Sequence, residues 1–490
     1  MSAERYVVGL DVGTTAIKAC VVSSSSEVIR HATVPIRLIP RRGNKDEVSV
    51  ECILDAVQVA LHKLDLSSLP PSSVAAIAIC GQMHGIVWWS AKDIAAAASD
   101  YFCSIVSPSS SSDRPASSSW SSLITWQDGR CDRSFLDQRR ACLGHCSPLS
   151  SGYGLASFSH VVENELPGVL SPFDTCGTIM DLVAFVLCGH TTHEQATIDL
   201  TNAFSWGGFD LSTQSWPTSV INALGIPQEV LPAAKAPGSV VGFVGGAASA
   251  DFGLPVNVPV FVPMGDHQCS IHALLESQAL SPLDTAMINI GTSAQLSLVV
   301  HDDVAISILS SSSRSVEVRP FLTNEKLVVA AALTGGNVFA LFVEMCQAWR
   351  TALGDSAPLD KSDLYERAIN SGMAKLDTTL QCQPTFAGER ADNVDYGMLS
   401  NMMVDNWTLS DMSAAIARGI VENLVGLCPQ EMQGEFTGRR LLGSGNALLQ
   451  NALLQHYVAK RFDQMPTLCQ TSDACVGAGM FVWRQLRQKC

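Results

Sequence analysis

Apolar and polar positions alternate in nearly the same way at two places along the chain. Residues 7–22 read VVGLDVGTTAIKACVV, and residues 287–300 read MINIGTSAQLSLVV. Each is an apolar run, then Gly-Thr-Thr or Gly-Thr-Ser, then small, polar and apolar residues in alternation. The pattern predicts a strand, a tight turn and a second strand, with hydroxyls and backbone N–H groups at the tip. A single such hairpin is an ordinary turn. Two of them, one in each half, point to two related domains that grip a polyphosphate between them.

The remaining pattern is that of an α/β chain. Residues 5–40 read as consecutive strands. Residues 51–64 have helical spacing, with Ile53, Val57, Leu61 and Leu64 on one face. Val74 to Cys80 is a buried strand that runs into Gly81-Gln82-Met83-His84-Gly85, and α/β folds place ligand contacts at such strand ends. Residues 134–206 read as mainly helical. Val258 to Val262 is a short strand leading into Pro263-Met264-Gly265-Asp266-His267, with an apolar helix from Cys269. In the second half, a strand over 327–333 meets Thr334-Gly335-Gly336-Asn337 and a helix over 338–349. Helical spacing returns at 411–428. A strand over 439–442 then meets Gly443-Ser444-Gly445-Asn446 and a helix over 447–462. Glycine-rich backbone before a helix can approach a nucleotide closely. Residues 104–122 are serine-rich, with the composition of a flexible insertion to which no element is assigned.

Composition narrows the partners. At 490 residues the chain exceeds a single core, so two domains are expected, 1–270 and 271–490. The formal net charge of −15 disfavours nucleic acid and anionic membrane surfaces. No apolar run is long enough to span a bilayer, and the chain enters a strand by Tyr6, so no signal peptide is expected. Sixteen cysteines lie scattered without a C-x-x-C pair, which reads as reduced and cytoplasmic. The one cluster, Cys142-Leu-Gly-His145-Cys146 with Cys131 upstream, lacks the two separated ligand pairs of a zinc site.

The phosphate chemistry is neither Walker nor Rossmann, since neither glycine pattern occurs. Gly13 lets backbone approach an anion, and Thr14 and Thr15 add hydroxyl donors. Asp11 beside such a tip is repulsive to phosphate unless a cation intervenes, and Mg²⁺ is the usual one.

Seven stretches in register resemble the FGGY carbohydrate kinases, within the wider actin and hexokinase ATPase group. They are Asp11 to Thr15, Gly81 to Gly85, Trp126 to Arg130, Gly265-Asp266, Gly291-Thr292, Gly335-Gly336 and Gly443 to Asn451. The resemblance implies two related actin/hexokinase-like ATPase domains with a catalytic cleft between them. It implies an enzyme that transfers phosphate from ATP, with Mg²⁺, to a sugar hydroxyl. Asp266 would be the catalytic base. Gln82, Met83, His84, Trp126, Asp128 and His267 would line the sugar pocket. Thr14, Thr15, Gly291 and Thr292 would contact phosphate, Gly335, Gly336, Gly445 and Asn451 would surround the nucleoside, and Asp11 would serve the metal. The pocket residues suit an open-chain ketose, with a shorter ketose or a polyol as alternative. Monomer and homo-oligomer both stay open.

Other readings of single residues stand beside these. Asp266 could be a helix N-cap, His84 a satisfied core histidine, and Trp126 a core residue. An ATP-driven chaperone or a filament protein would not need Met83-His84 or Trp126-Asp128. A catalytically inactive sugar- or ATP-binding protein would not need an intact Asp266.

Overall fold

The computed structural model describes residues 4–38, 43–70, 72–106, 119–166, 168–311, 316–355, 359–386, 388, 396–470 and 473–488. The chain divides into a unit of residues 1–277 plus 472–490, and a unit of residues 278–471. This corrects the expected division at 270/271 on two counts. The first helix after Gly265 stays whole within the first unit, and the last helix of the chain returns to that unit.

In the first unit, β1 (Tyr6–Val12), β2 (Ala16–Ser23) and β3 (Val28–Pro35) form an antiparallel meander, and α1 (Val50–His62) follows. β4 (Val74–Gly81) lies parallel to β1. Beyond β4 come β5 (Val240–Phe243), β6 (Pro259–Phe261) and the two-residue β7 (Met264–Gly265). The seven-stranded sheet runs β5-β6-β4-β1-β2-β3, with β7 beside β4. Every residue of β1 and β4 is buried, as expected for central strands covered on both faces. The spacing of α1 does what the sequence predicts: Ser49 caps it through Cys52 N, and Ile53, Val57, Leu61 and Leu64 are buried.

The 134–206 region is mainly helical, with short strands between its helices. Its aromatic core, including Trp88, Phe158, Trp206 and Phe209, is separate from the core under the sheet. Of the serine-rich stretch, 107–118 lie outside the described residues. Its two ends depart from expectation. A helix spans Ile94–Val106, and Trp120 is buried with its indole N–H donating to Glu51 Oε1 at 2.8 Å. One large indole brings enough apolar area to anchor the returning chain.

α2 (Asp266–Ser277) closes the first stretch of this unit. In the second unit, β8 (Thr285–Ile290) and β9 (Ala294–Val300) form the second hairpin, joined by β10 (Val316–Pro320) and β11 (Lys326–Ala332). α3 (Gly336–Ala352), α4 (Lys361–Met373) and α5 (Leu409–Gly426) follow, then β12 (Arg440–Ser444), α6 (Asn446–Gln450), α7 (Ala452–Phe462) and β13 (Thr467–Leu468). The six-stranded sheet runs β10-β11-β9-β8-β12-β13. Its β11-β9-β8 meander with parallel β12 repeats the β3-β2-β1 meander with parallel β4. The predicted helix over 447–462 is two helices, broken at Asn451, whose side chain caps α7 through Leu453 N and Leu454 N.

The last helix, α8 (Ala474–Gln488), packs on β1, β2, β4 and α2. Small residues allow it. A Cβ on Gly477 would lie 1.9 Å from the Cys269 carbonyl oxygen, and one on Gly9 would lie 2.1 Å from that of Cys475.

Candidate active site

Because β1, β4 and β7 run parallel, their C-terminal ends gather at one edge of the first sheet: Val12 pairs with Gly81, and Gly81 with Gly265. Asp11, the Gly13–Thr15 tip, the Gln82–Gly85 loop and the Gly265-Asp266 corner therefore converge. Gln82 N donates to Val12 O at 3.0 Å, and its side-chain amide donates to Gly13 O at 3.2 Å. Trp126, about 40% exposed, reaches the same tip and donates from Nε1 to Thr14 Oγ1 at 3.0 Å.

Asp266 is the first residue of α2 and His267 the second, both half-buried. The corner is fixed from behind: Gly265 N donates to Thr201 Oγ1 at 2.9 Å, and Thr201 donates in turn to Asp199. Asp199 caps the helix Leu200–Ser205, and burial pushes its carboxyl up to about 6. Met83 is buried with its sulfur against Gly265, where a Cβ would lie 2.7 Å from Sδ.

His84 has φ 76, in the left-handed region. Its ring stacks on Tyr153 at 4.2 Å, and Nδ1 bonds the Ser205 carbonyl at 2.7 Å, which puts the proton on Nδ1. A non-glycine residue held there by two partners is over-determined, as residues at ligand sites often are.

Asp11 is buried, and its Oδ1 has no hydrogen-bond partner. Burial pushes its carboxyl up to about 7, the charge of Asp266 adds to the rise, and Lys18 opposes it. A buried carboxylate with a bare oxygen beside a second carboxylate suits a divalent cation completed by water and phosphate oxygens. Among the described residues there is no group of three or more His, Cys, Asp or Glu side chains that could hold a metal by themselves. In the cysteine cluster, Cys142 bonds the Arg139 carbonyl and His145 pairs with Asp210.

Asp128 departs from expectation. Its carboxylate accepts from Asp46 N, Arg130 N and the Arg130 guanidinium at 2.8–2.9 Å, with the side chain fully buried. The three bonds to Arg130 hold the Trp126–Arg130 loop together, and the fourth ties it to Asp46. The acid serves the loop's shape, not a ligand, because its lone pairs are already used.

In the second unit, the hairpin tip and two glycine-rich turns border a cavity of about 1020 Å³. Gly291, Thr292, Gly336 and Asn451 line it. Gly335 and Gly445 do not line it; they hold the turns. Gly336 N donates to Gly291 O at 2.8 Å, Asn337 N to Thr292 O at 3.1 Å, and Gly335 N to Asn337 Oδ1 at 2.8 Å. Gly445 has φ 91, and a Cβ there would lie 2.4 Å from Asn289 Oδ1. Tyr365 and Asn370 also line the cavity and were missed from sequence, since no local signal marks a residue on a distant helix; Gln450, next to Asn451, lines it too. Asp199 and Thr201 were missed too, although Asp199-Leu-Thr-Asn202 carries a legible N-cap signal.

A repeated hairpin-tipped sheet, with a carboxylate at a strand-to-helix corner and glycine-lined turns, defines a phosphotransferase of the actin/hexokinase-like ATPase fold. The profile of the FGGY family of carbohydrate kinases, N-terminal domain, matches residues 6–97 and 117–272, and the chain belongs to that family. It is a carbohydrate kinase. It is 31% identical over 504 residues to sedoheptulokinase of Homo sapiens and 30% identical over 505 residues to that of Mus musculus, covering 100% of both chains in each case. In fold it is similar to the xylulose kinase from Rhodospirillum rubrum, with a TM-score of 0.75 and 17% identity over 98% of this chain and 92% of that one.

Proposed function

We propose that the enzyme transfers the γ-phosphoryl group of ATP to the terminal hydroxyl of sedoheptulose, giving sedoheptulose 7-phosphate and so feeding the pentose phosphate pathway. The observation that carries this is the full-length similarity to two sedoheptulokinases. The xylulose kinase likeness, at 17% identity, speaks for the fold alone. The free cysteines, with no disulfide among the described residues, support a cytoplasmic setting.

In this reading Asp266 accepts the proton of the sugar hydroxyl as it attacks phosphorus in line. The transition state is loose, so positioning and charge neutralisation carry most of the rate. Thr14 and Thr15 in the first unit, and Gly291 and Thr292 in the second, supply N–H and hydroxyl donors to phosphate. A bound Mg²⁺ would neutralise phosphate charge, and Asp11, with its bare buried oxygen, is the residue to serve it. Gln82, Met83, His84 and Trp126 bind and orient the sugar, with His267 beside the base. The nucleoside occupies the cavity of the second unit.

The test is a comparison of kcat/KM for sedoheptulose, xylulose, ribulose and glycerol with ATP. Sedoheptulose is expected to lead clearly, because a site built for an extra hydroxyl leaves polar groups unpaired when it is missing. A preference for a five-carbon ketose or for glycerol overturns the substrate and leaves the kinase. No turnover with any sugar points to an inactive binding protein.

A further inference from the structure

Lys18 lies directly opposite Asp11 in the β1–β2 hairpin, and directly opposed residues of an antiparallel pair point to the same face. Such a pair would ordinarily join. Here it does not. The Lys18 ammonium lies 2.5 Å from Asp473 Oδ1, while Asp11 Oδ1 is left bare and buried. Asp473 stands just before α8 and comes from the far end of the sequence. Its second oxygen lies 2.8 Å from His31 Nε2 on β3, so the carboxylate has a neighbour on each side.

We propose that Asp473 is a positioning residue that holds the Lys18 ammonium clear of Asp11, keeping the Asp11 carboxylate open to the divalent cation that accompanies the nucleotide. An ammonium and a divalent cation compete for one carboxylate, and the ammonium has the advantage of being tethered on the neighbouring strand. A fixed counter-charge at the start of α8 removes that competitor. It also gives the return of the last helix to the first unit a chemical purpose beyond packing.

The inference rests on the proposed kinase reading, in which Asp11 serves the cation. It is tested by Mn²⁺ binding to the full-length protein with saturating ADP, read by electron paramagnetic resonance. Asp473→Asn is expected to weaken Mn²⁺ binding about tenfold. Lys18→Met alone is expected to change it by less than about twofold, and Lys18→Met in the Asp473→Asn background is expected to restore it. Asp473 is about 30% exposed at a helix terminus, so Asp473→Asn should fold. Asp473→Ser is a second variant with the same expectation.

Wild-type Mn²⁺ affinity in both Asp473 variants overturns the inference, as does a loss that Lys18→Met fails to restore. Equal effects of Lys18→Met in both backgrounds also overturn it, because they would mean a simple sum of charges without positioning. Asp11→Asn separates the two levels. If it weakens Mn²⁺ binding while the Asp473 variants do not, the inference alone fails. If it binds Mn²⁺ like wild type, the assignment of the cation to Asp11 fails, and the inference with it.

Discussion

The indole N–H of Trp126 donates to the hydroxyl of Thr14 at 3.0 Å, across 112 positions of sequence. The bond joins the loop expected to hold the sugar to the tip expected to hold phosphate, so each shapes the other. Trp126→Phe keeps a flat ring but removes the donor together with part of the indole's contact area. A single neutral hydrogen bond is worth roughly 1 kcal/mol, so a loss of about fivefold in kcat/KM is expected. It should fall on both sugar and ATP dependence. Steady-state kinetics with each substrate varied checks this, and an effect on the sugar alone would mean the bond does not couple the two elements.

Asp266→Asn should fold and bind ADP as the wild type does, since the corner is held by Gly265, Thr201 and Asp199. Loss of a general base should lower turnover by about 10²–10⁴-fold. Near wild-type turnover at neutral pH would remove Asp266 from proton transfer.

Gly445→Ala places a Cβ in a backbone conformation at φ 91 and 2.4 Å from Asn289 Oδ1. Either the turn or the end of β8 must shift, at a cost on the order of 1–3 kcal/mol. ADP affinity measured calorimetrically is expected to fall about tenfold or more, with sugar binding retained. Unchanged ADP affinity would show that this turn does not shape the nucleotide site.

His272 makes stability depend on pH. It lies buried on α2, edge-on to Phe481 of α8 at 5.6 Å, and burial, with the Arg484 charge nearby, pulls its pKa down to about 4. The folded protein therefore binds fewer protons than the unfolded chain between about pH 4 and the ordinary histidine value near 6.5. Stability from this group is whole above about pH 6.5 and is lost as pH falls toward 4, by roughly 3 kcal/mol. The unfolding midpoint of His272→Gln should fall less steeply than that of wild type over this range. Parallel curves would place the acid sensitivity elsewhere.

Much of the site was legible because its chemistry is local. The Gly-Thr tips, the Gly81–Gly85 loop, the Gly265-Asp266 corner and the glycine-rich turns each need particular residues at fixed offsets, and the backbone consequences follow without knowledge of the rest. The cap at Ser49 and the apolar face of α1 are legible for the same reason. Asp128 was not, because a carboxylate in a polar loop reads the same whether it faces a ligand or an arginine two residues on.

What the sequence determined by itself is a pair of related α/β units and the identity of the turns proposed to face phosphate and sugar, since periodicity and turn chemistry act over a few residues. Only the tertiary structure decided that the last helix belongs to the first unit, that Asp473 takes Lys18 away from Asp11, and that Tyr365 and Asn370 reach the cavity beside Thr292. Those outcomes depend on close backbone approach at Gly9 and Gly477 and on side chains meeting across separate elements. No periodic signal records such contacts, because their energy comes from shape and charge matched in space.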